Sequence, residues 1–394
     1  MPTEGAKEVF SRAKNVILKE LHGKYGVPRI DPKMLEPLEE RVVGYGRFAE
    51  VFEVSLVRDD DSRMAATDTS VTIPLMTLSR PFDIRYFQIS QSHNAFIAGR
   101  VAVKVMKEDK IGELLTPPPF ASASSNGPGM KQDELEEKVK KSVTKLLEYY
   151  KRECVVWQKC SGDPKKAREK NIVELLGIAE TYQESYLPVF VSRFISEGTI
   201  GSYIEHRTKS RLSDKHRILI VSDIANALKF LHAIGIVHRD IKARNILIEN
   251  AGERYVGLLG DFGSSKMLEG DFLHNMSSTM SQDRWAPPEY LLELGAQHKE
   301  KGSGDIWALG CTFLEILQEE EPWKPYLPEI YKPMLCKYQY PMTGESVQSN
   351  KSMTFRHVDD RCYEVMKNCW SREKTDRISA ADLYLELLKL AKSV

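Results

Sequence analysis

The run His238-Arg239-Asp240-Ile241-Lys242-Ala243-Arg244-Asn245 holds a carboxylate, a lysine two residues on and an amide three beyond that; Asp261-Phe262-Gly263 begins sixteen residues after the amide. As chemistry, Asp240 can take a proton from an acceptor hydroxyl and Lys242 can hold a phosphate in transfer. Asn245 and Asp261 offer oxygen ligands to Mg²⁺ from two sides. Few other reactions need that set in that order. His238 has the look of a general base, yet Asp240 and Asn245 already fill the chemical positions, so a structural role suits it better. Arg239 suits bidentate pairing with a phosphorylated loop residue.

Upstream, Gly44-Tyr45-Gly46-Arg47-Phe48-Ala49, followed by Val51, lets backbone N–H groups approach phosphate oxygens. Alone this is weak, since any hairpin can carry Gly-Tyr-Gly. It gains weight from the apolar strand Val101-Ala102-Val103 that delivers Lys104. A lysine on an inward strand position costs desolvation unless paired; otherwise it snorkels to the surface. Glu153, near the apolar stripe of a helix, offers the partner, and nucleotide phosphates offer another.

These residues need elements to carry them. Apolar positions at Val9, Phe10, Ala13, Val16, Ile17 and Leu21 predict an amphipathic helix over 5–24. Such a face serves either to cover a core or to dock a partner. A Pro-containing connector over 28–37 follows, then two strands around the glycine turn, and a third at 99–106. About forty residues, 58–98, are inserted between strands expected to be neighbours, and a second insertion at 108–130 reads as a flexible Pro/Ser/Gly linker. Leu135, Val139, Val143, Leu146, Tyr150, Cys154 and Trp157 step by three or four, predicting a helix over 132–159. Short strands are expected at 172–178, 187–191, 245–249 and 255–259, and strong helices at 218–232, 305–317 and 380–392. The first part is strand-rich, the second helix-rich.

Bulk composition excludes several classes. Lysine plus arginine and aspartate plus glutamate each number 56 in 394 residues, so the formal charge is zero, unlike a dedicated nucleic-acid binder. Cys154, Cys160, Cys311, Cys336, Cys362 and Cys369 form no Cys-x-x-Cys pair and read as free thiols of a reducing compartment. No apolar run reaches the roughly 18–20 residues of a membrane span, and the N-terminus lacks the apolar stretch of a secretory signal. The expectation is a cytoplasmic or nuclear protein.

The motifs together resemble the eukaryotic protein kinase family, over roughly 38–392. Downstream, Arg284-Trp285-Ala286-Pro287-Pro288-Glu289 resembles its Ala-Pro-Glu segment, with Pro287 in place of Ala. Asp305-Ile306-Trp307-Ala308-Leu309-Gly310 resembles the start of its central helix, and Cys369-Trp370 with Asp376-Arg377 resembles its closing motif, whose arginine pairs with Glu289.

The resemblance implies an α+β, bilobal protein kinase fold: an N-terminal extension over 1–37, a small strand-rich lobe with one long helix over 38–192, and a mainly helical lobe over 193–394. It implies ATP and Mg²⁺, protein substrates, no nucleic acid, and possible docking through the N-terminal helix or the insertions. By its pattern, Lys104 binds the α- and β-phosphates and pairs with Glu153; Asp240 is the base, Lys242 meets the γ-phosphate, and Asn245 and Asp261 bind the metal. Ser192 is the gatekeeper, Arg193, Phe194 and Ile195 form the hinge, and Val51, Ala102 and Leu247 sandwich adenine. Leu175, Trp157, His238 and Phe262 make an internal stack with Asp305 beneath.

The chain departs from the pattern at Ala49, in place of a third glycine, and at Ser281-Gln282, in place of Gly-Thr. Lys242 resembles the serine/threonine kinases; Ala243-Arg244-Asn245 resembles tyrosine kinases, and Cys369-Trp370 the tyrosine-kinase-like branch. Serine/threonine specificity is favoured through Lys242, with tyrosine or dual specificity, or a nucleotide-binding scaffold without catalysis, as alternatives. A small-molecule phosphotransferase fits poorly with the 284–289 segment and the Asp305 helix. Ser277, Ser278, Thr279 and Ser281 are the expected sites of activating phosphorylation.

Overall fold

The structure is a computed structural model. It describes residues 4–45, 49–56, 99–106, 132–161, 164–183, 185, 187–205, 212–268, 284–292, 302–324, 326–337, 339–341 and 359–394. Gly46, Arg47 and Phe48, both insertions, and the Ser277–Ser281 segment lie outside these. The chain forms two compact units: one is 28–110 with 177–194, the other 1–27, 111–176 and 195–394.

The first unit is built on a six-stranded sheet. Its strands are β1 (Arg29–Ile30), β2 (Leu35–Tyr45), β3 (Ala49–Leu56), β4 (Gly99–Met106), β5 (Leu175–Ala179) and β6 (Val189–Arg193), ordered β1-β5-β6-β4-β3-β2. Alternation sorts the side chains. Val101 and Val103 of β4 are fully buried on one face, alongside Val54 opposite Val101 and Val191 opposite Val103. Ala102 and Lys104 therefore occupy the other face.

The expected connector over 28–37 is instead part of the sheet. Arg29 and Ile30 pair in parallel with Ile178 and Ala179. Asp31 accepts a hydrogen bond from the Lys33 N–H (3.0 Å) and caps a 3₁₀ turn, Pro32–Met34, that aims the chain into β2. Pro37 is tolerated within β2 because this strand lies at the sheet edge. Neither feature has a hydrophobic repeat long enough to read from sequence.

The second unit is mainly helical. It contains α1 (Glu4–Gly23), α2 (Gln132–Ser161), α3 (Pro164–Glu169), α4 (Ile200–Glu205) and α5 (Asp214–Ala233). The short strands β7 (Ile236–Val237), β8 (Ile246–Asn250), β9 (Tyr255–Leu259) and β10 (Lys266–Met267) follow. Then come α6 (Pro288–Leu292), α7 (Ser303–Gln318), α8 (Pro328–Cys336), α9 (Asp360–Cys369) and α10 (Ala380–Ser393). Every residue of α7 from Asp305 to Leu317 is buried. This helix is buried all round because it is the core, with α5 and α9 packed on it. At Gly310 the approach of α9 is so close that a Cβ would sit 2.8 Å from that of Cys369 and 2.6 Å from the Trp370 indole nitrogen.

The amphipathic helix α1 covers α2. Leu18 and Leu21 are buried, Glu20 forms an ion pair with the buried Lys151, and Lys151 Nζ also lies 5.6 Å from the Tyr25 ring. Thus the Leu18–Leu21 face is used within the chain, while Val16 faces solvent.

Candidate active site

The second unit gathers Asp240, Lys242 and Asn245 into one cluster. The loop between β7 and β8 ends in a 3₁₀ turn, Ala243–Asn245, closed by the Asn245 N–H donating to Lys242 O (3.0 Å). Lys242 Nζ donates to both Asp240 carboxylate oxygens, at 2.9 Å each. Asn245 Nδ2 donates to the Asp240 carbonyl (2.7 Å) and to its Oδ2 (2.9 Å). The amide's donor is thereby spent on Asp240, which leaves its oxygen as the atom available to a cation. Asp240 is buried but lines a hollow with Ile241, Trp285, Ala286, Pro287 and Tyr290.

Asp305, at the start of α7, fixes the loop from below. Its Oδ1 accepts from the Arg239 N–H (2.7 Å), and its Oδ2 from the His238 N–H and from His232 Nε2, both at 2.9 Å. Arg239 has a left-handed backbone (φ 70°), a conformation costing a non-glycine residue about 1–3 kcal/mol, and the Asp305 contact holds it there. Burial alone would raise the Asp305 pKa. The hydrogen bond from His232, the nearby His232 and His238 rings and the Arg239 N–H outweigh it and hold the carboxyl below its usual range.

His238 is fully buried. Burial lowers its pKa, against the opposing pull of Asp305, Asp240 and Asp261. Its Nε2 lies 3.1 Å from Gly260 O and so carries the proton. A neutral imidazole locked to a carbonyl agrees with the structural role expected for it. Both Asp240 and Asp261 lie close enough to act on this one ring.

The Asp261-Phe262-Gly263 turn follows β9. Asp261 is left-handed (φ 62°) and accepts from the Gly263 N–H at 3.4 Å. The expected aromatic stack forms: Phe262 lies 5.2 Å from His238 and 6.0 Å from Trp157, ring centre to ring centre. Leu175 is buried, its N–H donating to Ser161 Oγ (3.1 Å). Helix α2 reads this turn with one face. Arg152 Nη2 donates to Gly263 O (3.1 Å), and a Cβ on Gly263 would meet Tyr149 Oη at 3.2 Å and Glu153 Oε2 at 3.4 Å. Glu153 is thus buried beside Gly263.

In the first unit, Val51 lies opposite Lys104 and Ala102 opposite Ser192, so these four share one sheet face with Ala49. Arg193 ends β6, and the Phe194 ring, past the strand, lies 5.2 Å from the Arg100 guanidinium. Gly44 and Tyr45 end β2. Ile195 and Leu247 belong to the second unit with Glu153.

Three residues of the site escaped sequence reading: Arg152, His232 and Glu315. The signal for Glu315 was present as a single carboxylate inside the apolar run Trp307–Leu317. Arg152 and His232 sit among ordinary charged helix positions and carry no such mark.

Further along, Arg377 forms a bidentate pair with Glu289 (2.7 and 2.8 Å) in which the arginine side chain is fully buried. This is the pairing expected for the closing motif, and it ties Glu289 of α6 to the loop between α9 and α10. Among the described residues no helix is long and apolar enough to cross a membrane.

Comparison with known proteins agrees with this geometry. The protein kinase domain family matches residues 130–386, a stretch holding Glu153, Asp240, Asn245, Asp261 and Arg377 but beginning after Lys104. The tyrosine-protein kinase transforming protein Abl of Abelson murine leukemia virus is 25% identical over 56% of the chain and 27% of its own length. Mitogen-activated protein kinase kinase kinase A of Dictyostelium discoideum is 29% identical over 55% of the chain and 21% of its own. Mitogen-activated protein kinase kinase kinase 3 of Arabidopsis thaliana is 33% identical over 40% and 23%. The chain therefore spans about a quarter of the length of these relatives. With the family matched over more than half its length, and the fold and motif contacts in agreement, the chain belongs to the protein kinase domain family.

Proposed function

We propose that the protein transfers the γ-phosphate of ATP to serine or threonine hydroxyls of protein substrates. The observation that carries this is the Asp240–Lys242–Asn245 cluster. Asp240 lines a hollow beside the Trp285–Pro287 segment, and Lys242 is held within 2.9 Å of its carboxylate. In this reading Asp240 orients the acceptor hydroxyl and takes its proton, a role typically contributing about 10²–10⁴ in rate. Lys242 leaves Asp240 in part to meet the γ-phosphate. The Asn245 oxygen and the Asp261 carboxylate would hold Mg²⁺ as hard-oxygen donors, and the ion would supply neutralisation of phosphate charge. In the same reading Lys104 would pair with Glu153 and hold the α- and β-phosphates, and the segment Gly44 to Ala49 would add backbone donors. Val51, Ala102 and Leu247 would enclose adenine, with Ser192 behind it and Arg193 to Ile195 along its edge. The domain boundaries proposed are 1–37, 38–192 and 193–394.

The relatives' names include kinase kinase kinases and a tyrosine kinase. Lys242 favours the former chemistry, because its ammonium reaches the γ-phosphate beside a short hydroxyl side chain. Phosphorylation within Ser277–Ser281 would add about −1.5 to −2 charges for Arg239 to receive, raising activity. Phosphoamino-acid analysis of protein labelled from γ-labelled ATP and Mg²⁺ tests the class. Label on serine and threonine is expected, and label on tyrosine alone would overturn it. Equal turnover by dephosphorylated wild type, phosphorylated wild type and Arg239→Ala would refute the regulatory part.

A further inference from the structure

Helix α1 lies before the stretch 130–386 that the protein kinase domain family matches, so the family pattern assigns it no role. Its position gives it one. Leu18 and Leu21 are buried, and α1 packs on α2. Glu20, between them, pairs with Lys151 of α2, whose side chain is only 6% exposed. An ion pair so far from water resists the loss of either partner, because the survivor is left as a buried charge. Past α1 the chain turns back on itself. The Val27 N–H donates to Leu21 O (3.1 Å), His22 Nδ1 lies 2.7 Å from Val27 O, and Gly26 supplies the left-handed backbone of the turn (φ 64°). This turn carries the Tyr25 ring to 5.6 Å from Lys151 Nζ. Lys151 is thus met both by α1 and by the turn that ends it.

Arg152 and Glu153 follow Lys151 directly. Successive residues of a helix are about 100° apart, so Lys151 and Glu153 leave α2 in roughly opposite directions. Arg152 Nη2 donates to Gly263 O (3.1 Å), and Glu153 lies beside Gly263. One short stretch of α2 is therefore gripped from two sides, by α1 and by the Asp261-Phe262-Gly263 turn, and all three belong to one compact unit. We propose that α1 is a built-in activating element: through the Glu20–Lys151 pair it holds α2 with Arg152 and Glu153 against the Gly263 turn. The inference rests on the transfer reaction proposed above and adds its regulation. In that reaction Asp261 is a metal donor and Glu153 the partner of Lys104, so both depend on where α2 stands. Whatever lifts α1 from α2 lowers transfer, and coupling between two sites of this kind is typically worth about 5- to 150-fold.

The test uses the full chain, a peptide acceptor and saturating Mg·ATP. Glu20→Lys sets two ammonium groups against each other and should lower kcat about tenfold. Lys151→Glu should do the same, and the double variant, which restores opposite charges, should return to within about threefold of wild type. Glu20→Gln, which adds no like charge, should lose severalfold. A second readout needs no turnover. In Glu20→Lys the backbone amides of 147–161 and 262–265 should exchange hydrogen about tenfold faster, while those of α7 keep their wild-type protection; a general loss of stability would speed both. Transfer by Glu20→Lys and Glu20→Gln within about twofold of wild type, a double variant as slow as the single ones, or faster exchange spread equally into α7 would overturn the inference. Wild type that transfers nothing, with exchange that responds to Glu20→Lys in α2 and the Gly263 turn alone, would instead refute the proposed function and leave the grip of α1 on α2 standing.

Discussion

Replacing Asp305 by asparagine removes one oxygen from a group that serves three donors. Its Oδ1 holds the Arg239 N–H, and its Oδ2 holds the His238 N–H and His232 Nε2. An amide satisfies only one side. If its oxygen faces Arg239, its NH₂ confronts the His238 N–H; turned over, it confronts the Arg239 N–H. Either way a buried backbone donor meets another donor. The lost charge-assisted bond is worth about 1.5–3 kcal/mol and the unsatisfied N–H about 1–3, so a total near 3–5 kcal/mol is expected. There is also a catalytic effect. Arg239 loses the contact that holds its left-handed backbone (φ 70°), and Asp240 is the next residue. Relaxation that moves Asp240 by about 1 Å should lower kcat by about 10²-fold. Urea unfolding followed by intrinsic fluorescence measures the first quantity, and steady-state transfer to a peptide the second. A stability loss below about 1 kcal/mol with kcat within about threefold of wild type would refute the reasoning.

Arg377→Met should destabilise by about 3–5 kcal/mol because it strands the buried Glu289 carboxylate, and adding Glu289→Leu should recover most of that in a double-mutant cycle. Gly310→Ala should cost about 1–3 kcal/mol by forcing α9 off α7, read as a lowered unfolding midpoint. Two pH effects on stability have opposite signs. The Asp305 pKa is depressed, so its contribution is present above the unfolded value of about 3.8 and lost as pH falls through the lower folded one; acid unfolding of wild type, compared with Asp305→Asn, checks this. The Glu315 pKa is raised from 4.5 to about 7, so the folded state holds a proton that the unfolded chain has released, and stability falls as pH rises between those values. The shift corresponds to about 3 kcal/mol, and Glu315→Gln should show a flatter stability profile over that window.

Much of the site could be read from residue order. Asp240, Lys242 and Asn245 lie within six residues, so one tight loop joins them whatever the rest of the chain does. Helix α7 was visible for the opposite reason, as an apolar run from Ile306 to Leu317 that only a core can accept. The Trp157–Phe262 and His238–Phe262 contacts required the family pattern, because no local repeat links residues so far apart in sequence. Short elements were hidden. The two-residue β1 is defined by its partner β5, and β2 tolerates Pro37 only because it is an edge strand, which a sequence does not announce. Arg152 was hidden too: its contact with Gly263 joins residues 111 apart in sequence. The use made of α1 was open between covering a core and docking a partner; burial of Leu18 and Leu21 and the Glu20–Lys151 pair assign that face to α2.

The central claim is that Asp240 acts on the acceptor hydroxyl while other groups hold the nucleotide. Asp240→Asn keeps the shape of the cluster and removes the base, so phosphate transfer from ATP to a protein substrate should fall by about 10²–10⁴-fold while Mg·ATP affinity, measured by calorimetry, stays within about threefold. Transfer at the wild-type rate by this variant, or wild-type protein that binds Mg·ATP and transfers nothing after loop phosphorylation, would contradict the account.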